Sequence, residues 1–143
     1  MTTVTRKVSL LWGIGLALVG AVVATAALAA QGPSAKDQLL LTRSCQKCDL
    51  TSADFSRLDL KGVDLTGATL VSASFYRADL TNANLDGADL SKANLTFADL
   101  TNTNLGGVNL TGANLSGAKG AALAAATTTD TTICPDGQAG PCR

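Results

Sequence analysis

Written in fives from Cys48 to Gly117, the chain reads CDLTS ADFSR LDLKG VDLTG ATLVS ASFYR ADLTN ANLDG ADLSK ANLTF ADLTN TNLGG VNLTG ANLSG. The third place is Leu or Phe fourteen times in succession: Leu50, Phe55, Leu60, Leu65, Leu70, Phe75, Leu80, Leu85, Leu90, Leu95, Leu100, Leu105, Leu110 and Leu115. The first place is small or apolar, with Ala in nine of the fourteen, and the second is Asp or Asn everywhere but Thr69 and Ser74. Thr, Ser, Gly, Asn and charged residues fill most of the fourth and fifth places. A period of five fits neither an α-helix nor a plain strand. First and third residues stand two apart, which puts both on one side of an extended segment, and the polar remainder is turn chemistry. Each five is therefore a short extended step and a bend, with the same side always inward. Repetition winds the chain around a Leu/Ala interior. One coil cannot bury its own apolar face, so stability comes from stacking coil on coil.

The A-(D/N)-L-x-x pattern of these residues resembles the pentapeptide-repeat family. The resemblance implies an all-β fold, a right-handed four-sided β-helix with four fives per coil, closed by short helical caps. Fourteen fives then make three and a half coils, a rod about 17 Å tall at roughly 4.8 Å per stacked strand. Residues twenty apart stack directly. Ala in first place suits a narrow corner, and the departures at Leu58, Val63, Thr103 and Val108 point to looser coils near both ends. Asp and Asn in second place are expected to accept hydrogen bonds from turn amides.

Outward from the repeats, the chain divides into a leader at 1–29, a cap segment at 30–47, the coil at 48–117 and a closing segment at 118–143. Met1 to Ser9 is polar with Arg6 and Lys7, Leu10 to Leu28 is nearly all apolar, and Ala27-Leu28-Ala29 reads as a cleavage signal. The apolar run is also just long enough to serve as an uncleaved membrane anchor. Ser34-Ala-Lys-Asp37 reads as a helix start, which would lay Leu39, Leu40 and Leu41 on the first coil. Ala121 to Ala126 is a candidate helical turn over the last coil, and Cys134-Pro-Asp-Gly is a turn sequence. Exported cyanobacterial members of the family have similar flanks, a second resemblance that points to the periplasm or the thylakoid lumen.

Composition narrows the chemistry. The chain has no His and no Glu, so a general base would have to be Asp, Lys or a thiolate. Beyond the leader, nine Lys and Arg face eleven Asp, a balance that draws the protein to neither nucleic acid nor anionic lipid. No cofactor is implied. Cys45, Cys48, Cys134 and Cys142 form two local pairs on either side of the repeats, which in an oxidising compartment reads as two disulfides. Zinc and a redox-active C-x-x-C are the rival readings.

Stacking at twenty turns the sequence into a map of faces. Phe55 and Phe75 fall on one inner wall beneath Leu95 and Leu115. At the corner outside that wall come Arg57, Tyr76, Arg77 and Phe97, two arginines and two aromatics on a surface otherwise made of Thr, Ser, Asn and Gly. Such a cluster has the composition of a recognition spot. The plainer reading is that both arginines neutralise the neighbouring Asp59/Asp79/Asp99 column. That column is straight and does not converge as calcium requires.

Three function classes follow. The first is a non-catalytic structural or protein-binding module, its partner a protein not identified by sequence. The second is a DNA mimic that binds a topoisomerase, as some family members do through a strongly acidic rod. The third is a thiol redox protein using Cys45 and Cys48. Export should leave a mature chain starting at or near Ala30. The intact mass of protein from its native host checks this, and a full-length, membrane-extracted mass would select the anchor.

Overall fold

Each repeat carries five backbone N–H groups that must find acceptors, and the coil supplies a different one for every place. In the computed structural model of the protein, residues 32–142 are described; the leader, its cleavage site and Arg143 lie outside them. The first-place amide closes the turn, as from Ala68 to the Leu65 carbonyl at 3.0 Å. The second-place amide reaches the coil below (Thr69 to the Cys48 carbonyl, 2.9 Å), and the third reaches the coil above (Leu50 to the Thr69 carbonyl, 2.8 Å). The fifth also bonds upward, as from Ser52 to the Val71 carbonyl at 2.9 Å. The fourth has no carbonyl to meet. It donates to the second-place side chain of its own repeat, as from Thr51 to Asp49 Oδ1 at 3.0 Å. This local closure is why Asp or Asn recurs there. Thr69 and Ser74 have no such acceptor, and the Val71 and Tyr76 amides lack this bond.

The turn dictates the fifth place. Its φ lies between 56° and 68° in all fourteen repeats, with only this residue of the turn pair at positive φ, as in a type II turn. A residue with a Cβ pays about 1 kcal/mol for that conformation, which favours Gly and Asn.

Stacking follows from these bonds. Twelve single-residue parallel bridges link residues twenty apart, in four columns headed by Ser44, Asp49, Asp54 and Asp59. Four columns of five-residue steps make a four-sided coil, built from isolated bridges rather than continuous strands. All fourteen third-place residues are 0 to 4% exposed. Phe55 and Phe75 stack with ring centres 5.1 Å apart.

Of the four substituted first places, Leu58 is only half-buried, as expected from sequence, and the other three do not loosen the coil. Val63 and Val108 are fully buried, and the twenty-residue register runs through all four positions. Thr103 is buried too, its hydroxyl donating to the Leu80 carbonyl at 2.7 Å. Only Ala53 and Leu58, with Cys48, are half-buried in first place. They belong to the lowest coil, which has no complete coil beneath it.

Both ends extend beyond the repeats. Helix α1 (Ala35–Thr42) starts at Ser34 with a reciprocal capping box to Asp37. Leu39 is buried, whereas Leu40 and Leu41 are exposed, which corrects the expectation that all three face the coil. Successive helical residues turn by about 100°, so three in a row cannot share a face. Lys36 from α1 donates to the Asp54 carbonyl and lies 5.6 Å from the centre of the Phe55 ring. Residues 43–47 act as an extra five: Ser44 bridges Asp64 and Cys45 is buried at the third place. At the far end Lys119 still bridges Asp99. A 3-10 turn follows at Leu123–Ala125, and the chain keeps stacking through Thr127 on Asn109 and Ile133 on Asn114. The separations there fall to 18 and 19. Disulfides join Cys45 to Cys48 and Cys134 to Cys142, with Cα separations of 5.5 and 5.4 Å.

Supplying the missing acceptor should therefore stabilise the coil. Thr69→Asn is expected to raise unfolding free energy by roughly 0.5–1.5 kcal/mol, the net worth of one hydrogen bond. Leu85→Asp, which puts a carboxylate on the axis, is expected to abolish the cooperative transition. Urea unfolding followed by circular dichroism reads both.

Candidate functional site

Fifth-place side chains sit at the corners, and their left-handed backbone makes the long ones lean onto the next coil. The stems of Lys47 and Lys92 reach across Gly67 and Gly112 in this way. At the corner above Asp54 the same lean builds a stack. The Arg57 guanidinium carbon is 5.9 Å from the centre of the Tyr76 ring. Arg77 lies 5.2 Å from Tyr76 and 5.7 Å from Phe97, and the two rings meet edge to face at 6.3 Å. Phe97 in turn covers Gly117, occupying the space a side chain there would need. The φ of 68° favours Gly at residue 117, and the Phe97 ring against it leaves no room for a side chain. Directly over this corner sits the Cys134–Gly137 turn, since the Gly117 amide donates to the Pro135 carbonyl at 2.9 Å.

All four residues singled out from sequence are thus in one cluster. Arg57 stays in register, its amide bonded to the Tyr76 carbonyl at 2.8 Å. Phe97 is 53% exposed, the one aromatic among the exposed large hydrophobic side chains of the described residues.

The arginines do not neutralise the Asp column. Asp59 faces Arg43 at 3.9 Å, and Asp79 pairs with Lys61 at 3.2 Å. Among the described residues, Arg57 and Arg77 make no ion pair and their guanidinium groups donate no hydrogen bond. Arg43 and Lys61 were not picked out from the sequence, yet a signal for Lys61 exists. Fourth-place residues repeatedly meet second-place residues eighteen further on: Gln46 with Asp64, Ser56 with Ser74, Lys61 with Asp79 and Thr66 with Asn84. Arg43 belongs to the extra five, which the repeat pattern does not announce.

The carboxylates are structural acceptors. The Thr81 hydroxyl, 2.6 Å from Asp79 Oδ1, does most to hold that carboxyl below its ordinary value, with the Thr81 amide and Lys61 adding to it. The Thr101 hydroxyl and amide act alike on Asp99, and Thr66 with Gln46 on Asp64. A cavity of about 440 Å³ lies between the 3-10 turn and the closing disulfide, lined by Leu123, Cys134, Pro135, Ala139 and Pro141 among others. Among the described residues that line it, Asp136 is the one ionisable group.

With the geometry in place, comparison with known proteins fixes the lineage. The profile of the family described as Pentapeptide repeats matches residues 48–87 and 88–119 in eight copies, half of the chain. The chain belongs to the pentapeptide-repeat family. No curated protein matches it significantly. Among solved structures, Rfr23 of the cyanobacterium Cyanothece 51142 is 26% identical with a TM-score of 0.54, covering 66% of this chain and 93% of its own. A pentapeptide-repeat protein of the Arabidopsis thaliana thylakoid lumen is 34% identical over 76% of this chain and 80% of its own, with a TM-score of 0.32. HetL, involved in heterocyst differentiation regulation in Nostoc sp. PCC 7120, is 34% identical over 67% of this chain, at a TM-score of 0.41. This pentapeptide-repeat chain spans only 42% of HetL. The structural neighbours imply a right-handed, quadrilateral β-helix. Proteins of the family are in general structural or interaction modules. No helix among the described residues is long and apolar enough to cross a membrane.

The lowered carboxyls give a pH prediction. Unfolded Asp titrates near 3.9. Folded-state values lie below that at Asp64, Asp79 and Asp99, so their stabilisation is complete above about pH 4 and is lost as pH falls through the folded values. The melting temperature should stay level above about pH 5 and drop in more acid buffer. The Asp64→Asn/Asp99→Asn variant keeps both acceptors without their titration, and its drop should be shallower in calorimetry at stepped pH.

Proposed function

We propose that this protein is an exported, non-catalytic interaction module whose partner docks on the corner of Arg57, Tyr76, Arg77 and Phe97. One observation carries the proposal: the coil register gathers two unpaired arginines and two aromatics, scattered over some forty positions, into one stack. Arginine and aromatic side chains dominate the energetics of protein recognition, and the other corners, where Lys47 and Lys92 stand among Ser, Asn and Gly, carry no aromatic side chain among the described residues.

Export to the periplasm or the thylakoid lumen is supported by the apolar leader with its Ala27-Leu28-Ala29 motif. Pairing of all four cysteines in disulfides supports an oxidising compartment. The same pairing occupies the thiols that a zinc site would use. The redox and topoisomerase readings have less support, since Cys45 is buried under α1 and the Asp59/Asp79/Asp99 column is partly countered by Arg43 and Lys61.

Replacing Tyr76, Arg77 and Phe97 by Thr, Asn and Asn copies residues used at the same places of neighbouring repeats. The fold should survive, with a melt near that of wild type. In affinity capture from the native compartment the variant should lose the partner that the wild type retains. An unchanged partner set with folding intact would make these residues ordinary surface.

A further inference from the structure

The corner also indicates what its occupant must look like, an inference that rests on the docking role just proposed. Each guanidinium carbon lies 5.9 Å or less from a ring centre: Arg57 is over Tyr76, and Arg77 is over both Tyr76 and Phe97. Cation–π contact of this kind holds the group near the rings and uses none of its N–H donors in a hydrogen bond. No carboxylate of the described chain meets those donors. Arginine donors left without a partner fit the planar, two-oxygen geometry of a carboxylate.

Scale narrows the occupant further. From Arg57 to Phe97 the stack climbs through three coils, about 10–14 Å at the usual strand spacing. A stable interface between folded proteins buries roughly 800 Å² on each side, far more than one corner offers, so the occupant is a short segment. In an extended segment, side chains two residues apart lie on one face, roughly 7 Å from each other. Two acidic residues in that relation reach both arginines, one coil apart, and an apolar residue two places further on, on the same face, can cover the half-exposed ring of Phe97. A long polyanion such as nucleic acid would run beyond the corner over a surface whose charges nearly balance, nine Lys and Arg against eleven Asp beyond the leader, and would gain little there.

We propose that the Arg57/Tyr76/Arg77/Phe97 corner binds an extended acidic segment of a partner protein, its carboxylates on the arginine edges and an apolar side chain on Phe97. The test uses the mature protein and a fluorescein-labelled Gly-Glu-Ser-Glu-Ser-Leu-Gly peptide, followed by fluorescence polarisation at low salt. Wild type should bind it, bind the Gln-for-Glu peptide much more weakly, and weaken as salt is raised. Arg57→Asn/Arg77→Asn should lose about tenfold or more in affinity. Lys92→Asn, which removes a fifth-place cation from a different corner, should lose nothing. Asn already occupies the left-handed fifth place at Asn82 and Asn102, so the variants are expected to fold, with melting as the control.

Failure to bind the acidic peptide, or equal weakening by Lys92→Asn, overturns the proposal. So does equally tight, corner-dependent binding of a labelled single-stranded oligonucleotide. A concentration-dependent dimer abolished by the double arginine variant in sedimentation would give the corner to a second copy and overturn it as well. The two proposals fail separately. If the acidic peptide is ignored while the Tyr76/Arg77/Phe97 variant still loses its cellular partner, the acidic occupant is wrong and the docking corner stands. If the peptide binds at the corner and the partner set is unchanged, the acidic site stands and the docking role falls.

Discussion

Each coil of this protein passes amide hydrogens to carbonyls of the coils above and below it, and within the repeats those bonds close because the chain returns to the same corner after twenty residues. Inter-coil N–H to O distances stay between 2.7 and 3.0 Å wherever that spacing holds. A buried amide without a partner costs as much as a lost hydrogen bond or more, so no repeat can gain or lose a residue without disturbing two neighbours. The fourth-place amide escapes the ladder, and the second-place Asp or Asn exists to receive it. The left-handed fifth residue turns the chain through the corner. Leu or Phe in third place then points to the axis every time, because the backbone around it never varies.

A stack of this kind is vulnerable only at its ends, where backbone groups lose their next coil. Here both ends are covered by chain that abandons the repeat and are tied by a disulfide. At the lower end α1 brings Leu39 and Lys36 over the first coil, and the Cys45–Cys48 bond sits in the coil itself. At the upper end the segment after Lys119 continues the stacking with irregular spacing, and Thr132, buried as Thr103 is, satisfies its hydroxyl on the Leu110 carbonyl at 2.9 Å. The closing bond from Cys134 to Cys142 restrains a loop with no repeat to hold it.

Surface chemistry on such a rod is organised by column. Most columns cancel themselves: carboxylates bind turn amides and hydroxyls, Asn104 bonds Asn84, and Arg43 and Lys61 attend to the acidic column. The Arg57 to Phe97 corner is the exception. It places a bulky aromatic ring at φ 59°, a conformation that favours Gly and Asn, and leaves that ring half in solvent. Nothing in the folding of the coil asks for Phe there, since Gly and Asn serve the same place in other repeats. This is the strongest physical ground for assigning the corner a task outside the fold.

The period of five was enough to establish the inward ladder, because that depends only on a constant step length; the stacking of residues twenty apart, and with it the gathering of Arg57, Tyr76, Arg77 and Phe97, rested on the four fives per coil that the family resemblance implies. Ser34 and Asp37 likewise announced the start of α1 through local hydrogen bonding. Where the period stops, so does that legibility. The extra five at 43–47 lacks the Asp or Asn signature, and the stacking of Thr127 and Ile133 at separations of 18 and 19 follows from contact with the coil below rather than from any pattern in their own sequence. Sequence also left three leucines for one buried position on α1, and only the packed helix selected Leu39. The ion pairs were decided in the same way. A repeat states which side a residue occupies, but the reach of Arg43 to Asp59 and of Lys61 to Asp79 depends on how long side chains lean across adjacent coils, a property of the assembled rod.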